Sequence, residues 1–280
     1  MTHTQKRIIA NNIVMVLSTT SALIGMGFLF WILSVLIING VDALSFSIFT
    51  NEGAPPGYEN SGLKHALIGQ FMIVGVATIV GVPFGILAGT YLSEYGQKSK
   101  LAETIRDVSD IMMSAPSIVI GAFVYSIVVA PMGHFSGWAG SVALTIIMLP
   151  IILRTTDDML QLVPSTLREA AFALGAPKYK VIMQVVYRGA KVGVLTGILL
   201  GIARVAGETA PLLFTSFNDN FLNTDMGEPM ASLTVTMYNY ATSPYEDWQK
   251  LGWAAAFILS MFILSLNIIG RLLIMKRKEK

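Results

Sequence analysis

The chain contains no cysteine and only three histidines, His3, His65 and His134, far apart in sequence. The first absence excludes disulfides, thiolate metal sites and cysteine nucleophiles. The second leaves no histidine cluster for a metal centre. Charge is scarce as well: Asp, Glu, Lys and Arg make up 13% of 280 residues, about half the share of an average soluble domain. With 19 basic residues against 17 acidic ones the net charge is +2, and no stretch interleaves basic and aromatic side chains, which argues against a nucleic-acid surface. No G-x-x-x-x-G-K-[S/T] phosphate loop occurs, and no G-x-S-x-G marks a hydrolase nucleophile.

What is present is apolar surface. Hydrophobic residues make up 54% of the chain and the mean hydropathy is +0.64, so its main solvent is expected to be lipid. Six stretches approach or exceed the length of about 20 apolar residues that crosses a bilayer: about 12–38, 66–92, 109–130, 137–153, 192–214 and 252–274. The first follows Lys6 and Arg7 like the start of a signal peptide, but its apolar run is too long and lacks a small-residue cleavage site. It is read as a retained helix. Basic residues gather on the cytoplasmic side of short connections, and placing both termini there puts all of the 19 Lys and Arg inside except Lys64, Lys250 and Arg204. Asp42, Glu52, Glu59, Asp219, Asp225, Glu228, Glu246 and Asp247 then fall outside. The longer outer connections, 39–65 and 215–251, have room to dock a partner.

The cytoplasmic segment, about 164–190, carries helix punctuation. Thr166 and Glu169 are spaced as a capping box. Glu169-Ala170-Ala171-Phe172-Ala173-Leu174 then meets Gly175, suited to the left-handed residue after a helix, and Pro177 can open the next one. A helix this short is not stable alone and must pack on something.

Glu169-Ala170-Ala171 with Gly175 resembles the E-A-A-x-x-x-G signature of bacterial ABC importer permeases. Downstream, where the family often has I-x-L-P, this chain has Val185-Val186-Tyr187-Arg188. A narrower resemblance, to the phosphate-specific permeases of that family, runs over nearly the whole chain. It is strongest in Ala203-Arg204-Val205-Ala206-Gly207-Glu208-Thr209-Ala210-Pro211-Leu212-Leu213-Phe214-Thr215, with support from Tyr91-Leu92-Ser93-Glu94-Tyr95-Gly96 and Ser114-Ala115-Pro116-Ser117-Ile118-Val119. The resemblance implies an all-α integral membrane protein in which residues 1–280 form a single permease domain of the type I ABC importer kind, with six transmembrane helices and a cytoplasmic coupling helix. It places the chain in the bacterial inner membrane. It also implies that Glu169, Ala170, Ala171, Phe172 and Gly175 couple to an ATPase. The implied partners are a second related permease subunit, two ATPase subunits that bind ATP and Mg, and an external phosphate-binding protein. No cofactor is expected in this chain itself.

Arg204 carries the chemical argument. Counted from about residue 192, it falls some 18 Å into the fifth span at 1.5 Å per residue, where an arginine costs about 2.5–3.5 kcal/mol on insertion scales and needs a partner or a wet path. Glu208, four residues on, is expected on the same helix face. A guanidinium offers planar donors to an oxyanion, and the pair suggests a gate at which glutamate and passing anion compete for one cation. Pro211 leaves the carbonyl of Gly207 without its helical donor, whereas Pro83, Pro116 and Pro150 are expected to give simple kinks. Arg154, at the inner end of the fourth span, is a further candidate for the substrate path. Asp107 and Asp110 are read as acids at the start of the third span, without a substrate role. Gly81, Gly85 and Gly89, and likewise Gly193, Gly197 and Gly201, are spaced for close helix contact. A secondary anion transporter driven by an ion gradient, an ABC permease for another oxyanion and an intramembrane hydrolase remain as alternatives. The E-A-A segment argues against the first of these and the missing nucleophile motif against the last.

Overall fold

The computed structural model describes residues 3–58, 61–96 and 99–275, which are helical with no strand among them. Glu59, Lys98, Lys276, Arg277, Lys278 and Lys280, used above for orientation, lie outside the described residues. Helix α1, His3–Asp42, has 40 residues and so extends about 60 Å, twice the thickness of the hydrocarbon layer. Its most apolar stretch is wholly unburied. It packs chiefly on the last helix, where Gly40 lies against Phe257. After the short α2, Ser47–Thr50, helix α3 spans Lys64–Glu94 and encloses the expected 66–92.

The third stretch is not one rod. Helix α4, Lys100–Ser114, and α5, Ser117–Val124, meet at 103°, and α5 continues through a π turn, Tyr125–Val129, into α6, Ala130–Met132. The expected kink at Pro116 is therefore a sharp corner. Proline pushes the residue before it out of the helical region, and Ala115 is extended with ψ 137°. Pro83 and Pro150, by contrast, lie inside unbroken helices. Among the described residues, five helices are long and apolar enough to cross a membrane, and the bent pair makes six if it counts as one span.

Helix α7, Gly137–Gln161, is the axis of the fold. Ser136 caps it by accepting from the amide of Ala139 at 3.2 Å, and α3 and α10 grip it from two sides. A methyl at Gly85 of α3 would meet Ile152 at 2.7 Å, and one at Gly201 of α10 would meet the same residue at 3.0 Å. Both glycine rows thus face α7, which lets three backbones approach where side chains would hold them apart. Ile73, Leu144, Met148, Ile152, Val205 and Leu212 fill the shared core. After α8, Ser165–Ala173, the segments α9, Lys178–Val181, a π turn, Ile182–Val186, and α10, Tyr187–Ala206, form one continuous rod. It ends at Ala206, short of the expected 214. The short α11, Ala210–Leu213, then α12, Leu233–Ala241, and α13, Glu246–Met275, complete the chain.

Candidate translocation site and coupling segment

The fifth rod stops between the two residues expected to share its face. The amide of Gly207 donates to the carbonyl of Arg204 at 3.1 Å and that of Glu208 to Val205 at 3.3 Å, a tightened last turn after which Pro211 opens α11. Arg204 lies in the final turn of a rod that begins at Lys178, and Glu208 lies beyond it. The glutamate reaches back across the break, 3.6 Å from Oε1 to the Nη2 of Arg204, with the arginine 49% exposed and the glutamate 14%. That separation exceeds a hydrogen bond, so the attraction is electrostatic and easily displaced.

Arg204 lines a cavity of about 470 Å³ at the α4–α5 corner, together with Met113, Ser117, Ile120, Ile147 and Ile151. It is the one charged residue among those lining it. An anion entering this space would meet a single cation surrounded by apolar walls, which weaken solvent screening.

Breaking the rod frees backbone acceptors, and two side chains absent from the sequence reading take them up. Buried Gln70 of α3 donates through Nε2 to the carbonyl of Ala206 at 2.9 Å, and its Oε1 accepts from the amide of Leu233 at 3.0 Å. Thr234 donates its hydroxyl to the carbonyl of Glu208 at 2.9 Å. Gln70 had a signal: it is the one amide side chain in the apolar run of α3, and polar residues there are costly unless they have a partner. Thr234 had none.

Arg154 is not in the Arg204 cavity. It follows Ile151 on α7 and points one turn further along, with Nη1 at 3.8 Å from Asp110 and Nε at 3.4 Å from Asp158. It lines a separate polar cavity of about 530 Å³ with Arg106, Asp157, Asp158 and Arg168. Asp107 and Asp110 sit in the last two turns of α4 rather than at the start of a span, so the helix-dipole reason for them does not hold. Asp110 instead pairs with Arg154.

In the coupling segment, α8 starts at Ser165 behind Pro164, with no side-chain cap. Thr166 is inside the helix, so the expected capping box does not form. The far end does match the sequence reading. Gly175 has φ +78°, its amide donates to Phe172 at 2.9 Å, and that of Ala176 donates to Ala171 at 3.1 Å; this pattern closes a helix through a left-handed residue. Glu169 and Ala170 are exposed, Phe172 is half-exposed, and Leu174 is 89% exposed. Where the I-x-L-P proline is missing, no helix ends: the chain passes through the π turn into α10.

The segment is fixed to the membrane helices by buried charge. Arg168 Nη2 lies 2.7 Å from Oε1 of Glu94 at the end of α3, with side chains 15% and 6% exposed. The same guanidinium donates to the carbonyls of Leu160, at 2.8 Å, and Val163 behind α7. Lys178 donates to the carbonyl of Glu94 at 2.6 Å. Alongside, Arg106 of α4 holds Asp157 at 2.7 Å and the carbonyl of Leu92 at 2.9 Å. In the sequence, Arg106 and Arg168 stand out only as basic residues of the inner side.

A family model described as binding-protein-dependent transport system inner membrane component matches residues 81–278. The chain is 52% identical over 268 residues to the phosphate transport system permease protein PstA of Haemophilus influenzae, covering 96% of this chain and 95% of that protein. To the protein of the same name from Yersinia pestis it is 49% identical over 269 residues, covering 96% and 91%. To that of Mycobacterium leprae it is 38% identical over 271 residues, covering 95% and 88%. Its fold is similar to a chain of the MetNI methionine ABC transporter in an inward-facing conformation, with TM-score 0.60 at 19% identity over 77% of this chain and 94% of that one. With its helical architecture and these relatives, the chain belongs to the inner membrane components of binding-protein-dependent transport systems, and within them to the phosphate transport system permeases.

Proposed function

We propose that the chain forms half of the translocation path of an ATP-driven importer of inorganic phosphate, with Arg204 as the cation the anion meets and Glu208 as its competitor. The observation that carries this reading is the loose pair across the helix break. At 3.6 Å, with the arginine half-exposed in an otherwise uncharged cavity, the guanidinium can exchange one carboxylate for an oxyanion without losing a buried hydrogen bond. Phosphate gains paired, charge-assisted donors in place of part of its water shell. Between passages Glu208 reclaims the cation and closes the path to other anions. Arg154, already between Asp110 and Asp158, is a later station at which the anion would leave.

Energy reaches the site from outside the chain. Exposed Glu169, Ala170 and Phe172 on α8, with Leu174 beyond it, suit docking to an ATPase, and the Glu94–Arg168 bridge carries a push on α8 into α3 and the end of α7. The partners are a second related permease completing the path, two ATPase subunits carrying ATP and Mg, and an external phosphate-binding protein on the opposite face. Both termini lie on the ATPase side. A gradient-driven transporter has no use for a docking segment, so it is not favoured.

The test is reconstitution with these partners in vesicles. Phosphate uptake and ATP turnover should both rise when the binding protein is added outside. Uptake that persists without ATPase subunits but collapses with the ion gradient would return the secondary-transporter reading. Rejection of arsenate that the binding protein has delivered would move selectivity into the membrane path, away from a single arginine.

A further inference from the structure

The fifth rod and α12 each leave backbone groups that no helix can satisfy from within. At the end of α10 the carbonyl of Ala206 has lost its helical donor, because the chain turns away at Gly207. At the start of α12 the amide of Leu233 has no acceptor within its own helix. One side chain, Gln70, serves both, giving its amide hydrogen to the first and its carbonyl to the second. An amide side chain is donor and acceptor at once without carrying charge. Here the opposite partial charges of a helix C-terminus and a helix N-terminus are joined through it. Thr234, in the first turn of α12, makes a second tie to the carbonyl of Glu208. The two bonds therefore hold α12 on either side of the break, one residue away from Gly207 in each direction.

Helix α12 is tied at its start to the break and packed near its end on α13, where buried Tyr240 stacks on Trp248 at 4.9 Å. Its first residues are buried, and Ser232 caps it by accepting from Val235 at 3.3 Å. Beyond Tyr240 the segment is mostly exposed, including Thr242, Pro244, Tyr245, Glu246 and Asp247, and Tyr238 is half-exposed on the way. This end belongs to the connection between the last two long helices, at the opposite end of α10 from the coupling segment. A protein resting there pushes on a helix whose only polar grips on the break are at Ala206 and Glu208 among the described residues.

We propose that Gln70 and Thr234 are positioning residues through which α12 sets Glu208 relative to Arg204, so that a soluble partner docking at residues 238–247 loosens the ion pair. The inference rests on the gating reading of Arg204 and adds to it the device by which docking reaches the pair. Displacing α12 moves the carbonyl of Glu208 directly through Thr234, whereas Gln70 of α3 keeps its hold on the end of the rod at Ala206. The glutamate carboxylate is therefore carried off while the arginine stays on its rod.

The experiment uses the complete reconstituted complex with phosphate-loaded binding protein and measures the ratio of ATP turnover with and without that protein. Thr234→Val keeps the shape and removes the hydroxyl, and should cut the ratio at least fivefold at normal complex yield. Thr234→Ser restores the hydroxyl and should restore the ratio. Gln70→Glu keeps the acceptor for Leu233 and loses the donor to Ala206, and should also lower it. In a Glu208→Gln background Thr234→Val should add nothing, because both act on one contact. A ratio within twofold of the parent for both Thr234→Val and Gln70→Glu would overturn the proposal, as would failure of Thr234→Ser to rescue. Phosphate uptake by Arg204→Lys, run alongside, keeps the two readings apart. Full uptake there removes the gate, whereas lost uptake together with a normal Thr234→Val ratio removes only the lever.

Discussion

The two ends of the fifth rod treat charge in opposite ways. At the coupling end, Glu94 and Arg168 are 2.7 Å apart with side chains 6% and 15% exposed, and Arg106 and Asp157 repeat the arrangement. At the other end, Arg204 and Glu208 stand 3.6 Å apart, the arginine half in the open. A short buried pair is costly to break because it leaves a stranded charge; a loose exposed one contributes little. The tight set suits transmission of force between helices, and the loose one suits exchange with a visiting anion. On the proposed reading, stability and traffic are kept in different regions of one protein.

The largest expected effect breaks the tight set. Arg168→Met strands the Glu94 carboxylate and two carbonyls, at a cost of about 3–5 kcal/mol, so the yield of assembled complex in membranes should fall sharply. Yield equal to the parent would show that this end is as loose as the other.

Breaking the loose set should leave assembly intact and change transport instead. Arg204→Lys keeps the charge but not the planar donor fork, and should lose most phosphate uptake with normal complex yield. Glu208→Gln removes the competitor and should separate ATP turnover from uptake. Proportional loss of yield, uptake and turnover in both variants would make the pair a scaffold.

A smaller effect is expected at Gly175. Its φ of +78° costs a non-glycine residue about 1–2 kcal/mol, more when β-branched, so Gly175→Val should weaken copurification of the ATPase while membrane insertion is kept. The least effect belongs to Thr166→Ala, since Thr166 caps nothing. Its change in thermal stability should stay within about 0.5 kcal/mol, and a larger loss would reinstate the capping box.

Much of this was legible in the sequence because it is local. Apolar runs located α3 and α7, Gly175 announced its own turn, and the glycine rows showed helix faces that would be in close contact. The break at Gly207 was not legible, because Arg204 and Glu208 at four-residue spacing suit a continuous helix equally well, and Pro211 can kink a helix or start a new one. The corner at Pro116 had the same ambiguity: Pro83 and Pro150 have the same residue type and no break. What decides each case is tertiary. Gln70 and Thr234 satisfy the carbonyls that a broken rod exposes, and they come from positions far away in sequence.

Helix α1 also sets a timetable for biosynthesis. Helix α1 is made well before its main packing partner, α13, with Gly40 waiting for Phe257. At about 5–20 residues per second, that wait is on the order of ten to forty seconds. Throughout it the end of α1 around Gly40 lacks its partner, and a chain truncated before α13 never closes that contact, while the apolar stretch of α1 stays unburied in either case.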